Sequence, residues 1–158
     1  MAAVLNDNHT AVTPQETAIS SQLDQMIEDA GNKYQVDPEL IRLVIKQESR
    51  FKATARSPKN AQGIMQTTPA TAQRFGIKNT YDPKQSIEGG TRYLKWLLEK
   101  FDDNVPLALA GYNAGENTVV RYGYKIPPYH ETQEYVTRIT SAYGKTWHEA
   151  PASLSQLK

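Results

Sequence analysis

Ile41, Val44, Ile45 and Glu48 fall at offsets of 0, 3, 4 and 7, which at about 100° per residue places all four on one face of a helix. An apolar stripe that ends in an acid is a chemically loaded arrangement. A carboxyl group held against apolar neighbours loses hydration of its charged form, so its pKa rises toward the range where it can hand over a proton near neutral pH. Glu48 therefore reads as a candidate general acid. No other pattern in the chain offers comparable chemistry. Ser49 has no neighbouring histidine or nucleophile elbow and reads as a local hydrogen-bonding residue. His9, His130 and His148 are far apart and lack metal-ligand spacing. Gly89, Gly90 and Gly111 do not form a phosphate cradle, which needs a different glycine spacing and a following lysine. Neither a metal nor a cofactor is expected.

The elements that must hold Glu48 follow from caps and periodicity. Thr13, Pro14 and Glu16 form a capping box with proline at the first helical position, predicting a helix from 14 to about 33. Asp37 and Pro38 start a second helix that carries the stripe to about Arg50, with Glu48 near its C-terminal end. Residues 52–68, with Ser57, Pro58, Asn60 and Gly63, lack periodicity and read as a loop. Thr68 and Pro69 then open a short helix that Gly76 closes. Ile87, Leu94, Leu97, Leu98 and Phe101 mark a longer amphipathic helix, with Gly89 and Gly90 permitting a close approach near its start. Pro106 begins another helix to about Asn113, residues 116–122 form one more helical segment, and Pro127 with Pro128 is loop. Tyr135, Val136, Ile139, Ala142 and Tyr143 form a last stripe closed by Gly144.

The predicted fold is all-α, a compact single domain over 14–149 between flexible segments at 1–13 and 150–158. A length of 158 residues suits one core. Hydrophobic residues at 39%, charged residues at 22% and a mean hydropathy of −0.63 exclude a transmembrane span, which needs roughly 18 consecutive apolar residues. A net charge of +1 lacks the basic excess of nucleic-acid binding. With no cysteine, thiol chemistry and disulfides are excluded. Met1 to Thr10 contain no Lys, no Arg and no apolar run, so no secretory signal is expected within them.

Four separated motifs then carry a resemblance. They are Glu48-Ser49 within KQESRF, Gly63-Ile64-Met65-Gln66, Gly111-Tyr112-Asn113-Ala114-Gly115, and Glu131 with Tyr135 within ETQEYV. In order and separation, from Ile41 to Ile139, they resemble the soluble lytic transglycosylase family, which has a goose-type lysozyme-like fold and cleaves peptidoglycan. Two departures stand out: Gly111 where alanine is usual, and Thr68 where many members have methionine.

The resemblance implies one catalytic glutamate, Glu48, which protonates the leaving oxygen and then, ionised, removes the C6 hydroxyl proton of the muramic sugar as that oxygen closes on C1. The product implied is 1,6-anhydromuramic acid. It further implies that Ser57 hydrogen-bonds the substrate or the acid, that Gln66 lines the sugar groove with Met65 beside it, and that the hydroxyls of Tyr112 and Tyr135 orient the acid. Asn113 is expected to contact sugar or backbone, and Glu131 to position that wall. The implied partner is the glycan strand of peptidoglycan, met by a monomer in the periplasm, cell envelope or a phage virion, with envelope-machine partners open. Two rival readings remain at this point. A hydrolytic muramidase would use Glu131 or Glu134 to hold a water, and a binding module would grip glycan without cutting it.

Overall fold

The computed structural model describes residues 11–152. Most of both predicted flexible segments, and His9, lie outside these residues. Seven helices follow one another: α1 Pro14–Tyr34, α2 Pro38–Ser49, α3 Pro69–Arg74, α4 Pro83–Lys100, α5 Val105–Ala114, α6 Glu116–Arg121 and α7 His130–Tyr143. No strand forms among the described residues. Isolated bridges join Arg56 to Gln62, Gln62 to Thr67 and Asn104 to Trp147.

The first five helices start by one device. Thr13, Asp37, Thr68, Asp82 and Asn104 each accept a backbone N–H with the side chain, and a proline follows in the first turn. The caps satisfy N–H groups that have no partner inside the helix, and proline loses nothing there because its missing donor would be orphaned anyway. α1 has the full capping box between Thr13 and Glu16. α6 and α7 have no side-chain cap bond, so tertiary packing must hold them. Gly144 ends α7 in the left-handed conformation expected of it.

Helix pairs α1 with α4, α4 with α5, α5 with α7, α7 with α2, and α2 with α1 pack side by side, so five helices close a ring around one core. Ile41, Val44 and Ile45 of α2, Leu94, Leu97 and Leu98 of α4, and Leu109 of α5 are fully buried in it. α2 is therefore wedged between the first and last helices. This places the C-terminal end of α2, with Glu48, against α7.

The chain between α2 and α3 has no helix, yet it is tied in several places. Gly63 donates its N–H to the Ala55 carbonyl, Gln66 to Gly63, and Gln62 and Thr67 exchange both backbone bonds. Gly63 adopts φ +82, and a Cβ there would stand 1.8 Å from the Thr80 carbonyl oxygen. Only glycine fits this turn. Gly89 and Gly90 serve close approach as predicted: a Cβ on Gly89 would meet Ile77, and one on Gly90 would meet Met65.

Candidate active site

Glu48 lies in the last turn of α2, half-buried, in a cleft of about 370 Å³. No hydrogen bond to its carboxyl forms among the described residues. Burial first, and the Glu131 carboxylate second, push its pKa up to about 8. Both causes act against the charged form, the first by removing hydration and the second by like-charge repulsion. The carboxyl is thus protonated at neutral pH.

The neighbouring Ser49 turns the other way. Its hydroxyl is buried and donates to the Ile64 carbonyl at 2.6 Å, with the Ile45 carbonyl at 3.2 Å. This bond ties the end of α2 to the Gly63–Gln66 turn, so one residue fixes how the acid faces the opposite wall. Ser49 is a strut.

That wall is built by Gln66, which sits at φ +50. Its side-chain amide donates to the Ala55 and Gly63 carbonyls at 2.9 and 2.8 Å. Those two bonds consume both amide hydrogens and leave the acceptor oxygen without a partner among the described residues. Ser57 also lines the cleft; its hydroxyl accepts the Ala61 N–H at 3.0 Å, and its hydroxyl hydrogen remains available.

Met65 corrects the expectation. Its side chain is fully buried, and it fills the notch above Gly90, so it does not line the groove. What it offers the site is its carbonyl oxygen, which accepts the Tyr112 hydroxyl at 2.7 Å. The expected role of Tyr112 changes with it: its hydroxyl hydrogen is directed at Met65, not at the acid. Burial first and the Glu48 charge second nevertheless hold the Tyr112 phenol well above its usual pKa. Tyr112 is a neutral, locked wall of the cleft.

Tyr135 differs in one atom's bonding. It is buried, and its hydroxyl has no hydrogen-bond partner among the described residues. Burial, then the charge on Glu48, raise its pKa well above the usual value. A buried unpaired hydroxyl is costly and therefore uncommon.

Asn113 lines the cleft while its side-chain oxygen accepts the Thr132 hydroxyl at 2.8 Å. This bond joins α5 to α7. Below it, Tyr93 donates to Glu116 at 2.8 Å, and Arg74 pairs with the same carboxylate. Together these hold the Gly111–Gly115 segment, whose closing residue Gly115 has φ +89.

All expected site residues except Met65 thus face one cleft. The sequence reading did not single out Gln47, Lys59 or Arg138, which also line it. A signal for Arg138 was present. Glu131, Glu134, Tyr135 and Arg138 sit at offsets 0, 3, 4 and 7, so α7 turns a continuous polar-aromatic face to the acid. Lys59 had none, because its loop has no periodicity to place it.

An all-helical, lysozyme-like fold with one desolvated acid in an open cleft defines the class, and comparison with known proteins narrows it. Residues 25–128 match the transglycosylase SLT domain family, and the chain belongs to that family. Over 75 residues it is 47% identical to the membrane-bound lytic murein transglycosylase F of Shewanella pealeana, covering 44% of this chain and 16% of that one. It is 38% identical over 100 residues to a transglycosylase of Enterobacteria phage PRD1, covering 63% of this chain and 37% of that one. The chain therefore spans well under half the length of these relatives.

Among solved structures, an inactive mutant of the lytic transglycosylase Slt from Pseudomonas aeruginosa matches with a TM-score of 0.63 at 27% identity, over 77% of this chain and 22% of that one. The 70 kDa soluble lytic transglycosylase of Escherichia coli matches with a TM-score of 0.62 at 23% identity, over 84% and 28%. The second likeness shows the fold alone.

Proposed function

We propose that this domain is a peptidoglycan lytic transglycosylase that cuts the β-1,4 bond between N-acetylmuramic acid and N-acetylglucosamine with Glu48 as its single acid and base. The observation that carries this reading is the Glu48 carboxyl, desolvated and raised to about 8 in the cleft. Glycoside cleavage requires a proton on the leaving oxygen and relief for positive charge at C1. A carboxyl protonated at pH 7 supplies the first. The muramic N-acetyl carbonyl supplies the second from the substrate's own side.

After donating, Glu48 is a carboxylate in a site that disfavours its charge, so it is driven to recover a proton. The C6 hydroxyl of the same sugar provides it. The C6 oxygen forms the new bond to C1 and the glycosidic bond breaks, leaving 1,6-anhydromuramic acid and a free 4-hydroxyl. Because attacker and target share one ring, the closure is intramolecular and needs no bound water. The Tyr135 hydroxyl is the donor placed to steady Glu48 while it is ionised.

In this reading Ser57, Gln66 and Asn113 hold the sugar, Tyr112 walls the site, and Glu131 adds by its charge to the rise that burial gives the acid's pKa. Relatives from a bacterium and a phage support work on the cell envelope, either from within or from a virion. Among the described residues no helix is long and apolar enough to cross a membrane.

A hydrolytic muramidase is the second reading, and one observation favours it: Glu131 and Glu134 line the same cleft as Glu48 and could hold a water. The mass of the muramic product separates the two. Anhydro products are one water lighter than the reducing-end products of hydrolysis, and the latter alone would overturn the lytic mechanism. Intact walls that co-sediment with the protein would instead mark a binding module.

A further inference from the structure

His148 is buried, 3% exposed, and no step at the cleft uses it. It belongs to the segment that follows α7, and that segment is fastened at three points. Val105 donates its N–H to the Thr146 carbonyl at 2.9 Å, and His148 donates its own to the Asp103 carbonyl at 2.8 Å. The ring makes the third bond. Its Nε2 accepts the backbone N–H of Asp37 at 2.9 Å, which leaves the ring hydrogen on Nδ1, 3.5 Å from Asp103 Oδ1. Asp37 caps α2 and accepts the Tyr143 hydroxyl at 2.7 Å.

One side chain thus joins the start of α2, the turn after α4 and the end of α7. Because Val105 opens α5, the same segment ties the start of α5 to the end of α7. The far halves of those two helices carry Tyr112 and Asn113, and Glu131 and Tyr135, which line the cleft with Glu48.

We propose that residues 145–149 form an acid-released strap: protonation of His148 detaches it from Asp37 and Asp103 while the helical body stays folded, and this loosens the α5–α7 wall of the cleft. A doubly protonated ring carries a hydrogen on Nε2 that points at the Asp37 N–H, so two donors meet where a donor met an acceptor. Burial acts most strongly on the ring and opposes its charge; Asp103 from the turn and Asp37 from α2 favour the charge, and Lys95 from α4 opposes it. Glu149 on the strap and Glu39 on α2 act on Tyr143 beside them. The balance keeps the docked ring neutral, so the ring takes up its proton more readily once the strap is open. Below the ordinary value of 6.5, each pH unit shifts the strap toward the open state by up to about tenfold, until the lowered value of the docked ring is reached. Glu48 responds in the opposite sense, because acid removes the cost of its burial. The body is therefore firmest where the strap is loosest.

Amide hydrogen exchange on the full chain, referred to the intrinsic rate at each pH, reads the strap directly. Protection of the Val105 and His148 amides is expected to fall by up to about tenfold per pH unit below 6.5, while that of Leu98 within α4 does not fall. His148→Gln offers an oxygen to the Asp37 N–H and does not titrate, so its Val105 amide keeps its protection across the range. Asp103→Asn leaves the ring in place and removes a carboxylate that favours its charge, so there the fall continues to lower pH. Protection that holds in the parent chain from pH 7 to pH 5 overturns the proposal. So does a fall shared with Leu98, one shared with His148→Gln, or one that Asp103→Asn does not move. Peptidoglycan cutting, compared at pH 7 and pH 5, is expected to drop more in the parent chain than in His148→Gln, and an equal drop overturns the coupling to the cleft. That coupling rests on the catalytic reading above, whereas exchange involves no cutting: a chain that cuts nothing but loses strap protection in acid refutes the catalytic reading and leaves the strap standing.

Discussion

Replacing Glu48 by glutamine should stabilise the protein while abolishing cleavage, and the gain should grow with pH. In the unfolded chain the carboxyl ionises near its ordinary value of 4.5, whereas in the fold it does so at about 8. Between those values the folded state binds the proton that the unfolded state has released, so stability falls as pH rises across that window. At about 1.4 kcal/mol per unit, the penalty is about 1 kcal/mol at pH 5, about 3 at pH 7 and about 4 at pH 8. Below the unfolded value it vanishes.

A carboxamide keeps the shape of the neutral acid and never ionises, so Glu48→Gln removes this penalty and little else. Urea unfolding of both chains at pH 5, 6, 7 and 8 measures the difference directly, and titrating groups that do not interact with Glu48 cancel in the comparison. For a chain of this length each kcal/mol corresponds to roughly 2–4 °C, so the melting gap at pH 7 should be roughly 6–12 °C. A gap that does not change with pH, or a parent chain more stable than the variant at pH 8, would refute the claim that Glu48 is desolvated.

The same pKa predicts that kcat/KM for wall cleavage falls about tenfold per pH unit above about 8. Glu131→Gln should move that fall to lower pH because a like charge is gone, and an unmoved profile would count against the coupling. Tyr135→Phe removes a buried hydroxyl that has no partner among the described residues; it should leave urea stability unchanged or slightly raised while lowering kcat by about ten- to a hundredfold. Tyr112→Phe should instead cost about 1–3 kcal/mol of stability by stranding the Met65 carbonyl. Gly63→Ala forces a side chain at φ +82 into the Thr80 carbonyl and should cost about 3 kcal/mol or more, read as a lowered urea midpoint. His148 is buried, accepts the Asp37 N–H on Nε2 at 2.9 Å, and has its pKa lowered mainly by burial. Its contribution is present above pH 6.5 and lost as pH falls through the lowered value, so His148→Gln should flatten the acid side of the stability curve.

Much of this architecture is written locally. The pairs Thr13-Pro14, Asp37-Pro38 and Thr68-Pro69 announce helix starts because a cap and a proline act within one turn, and α2 and α3 begin where those pairs place them. Glu48 was legible for a related reason, since its stripe lies within eight residues. Met65 was not. A methionine beside Gln66 looks the same whether it faces sugar or core, and what decides is Gly90, 25 residues further on, whose missing side chain opens the notch it fills. Tyr112 and Tyr135 are likewise alike in sequence, yet among the described residues one hydroxyl is bonded and the other has no partner, because the Met65 carbonyl accepts only the first.

The sequence by itself determined where α1, α2 and α3 begin, which face of α2 is apolar, and that an acid closes that face. Tertiary structure alone decided what the acid became. Packing α7 against the end of α2 takes water from Glu48 and sets Glu131 within reach of it, and both effects act through space between residues more than 80 positions apart. Periodicity records which side of a helix is buried, whereas hydration and charge depend on everything brought near it, so the proton that Glu48 holds belongs to the assembled cleft.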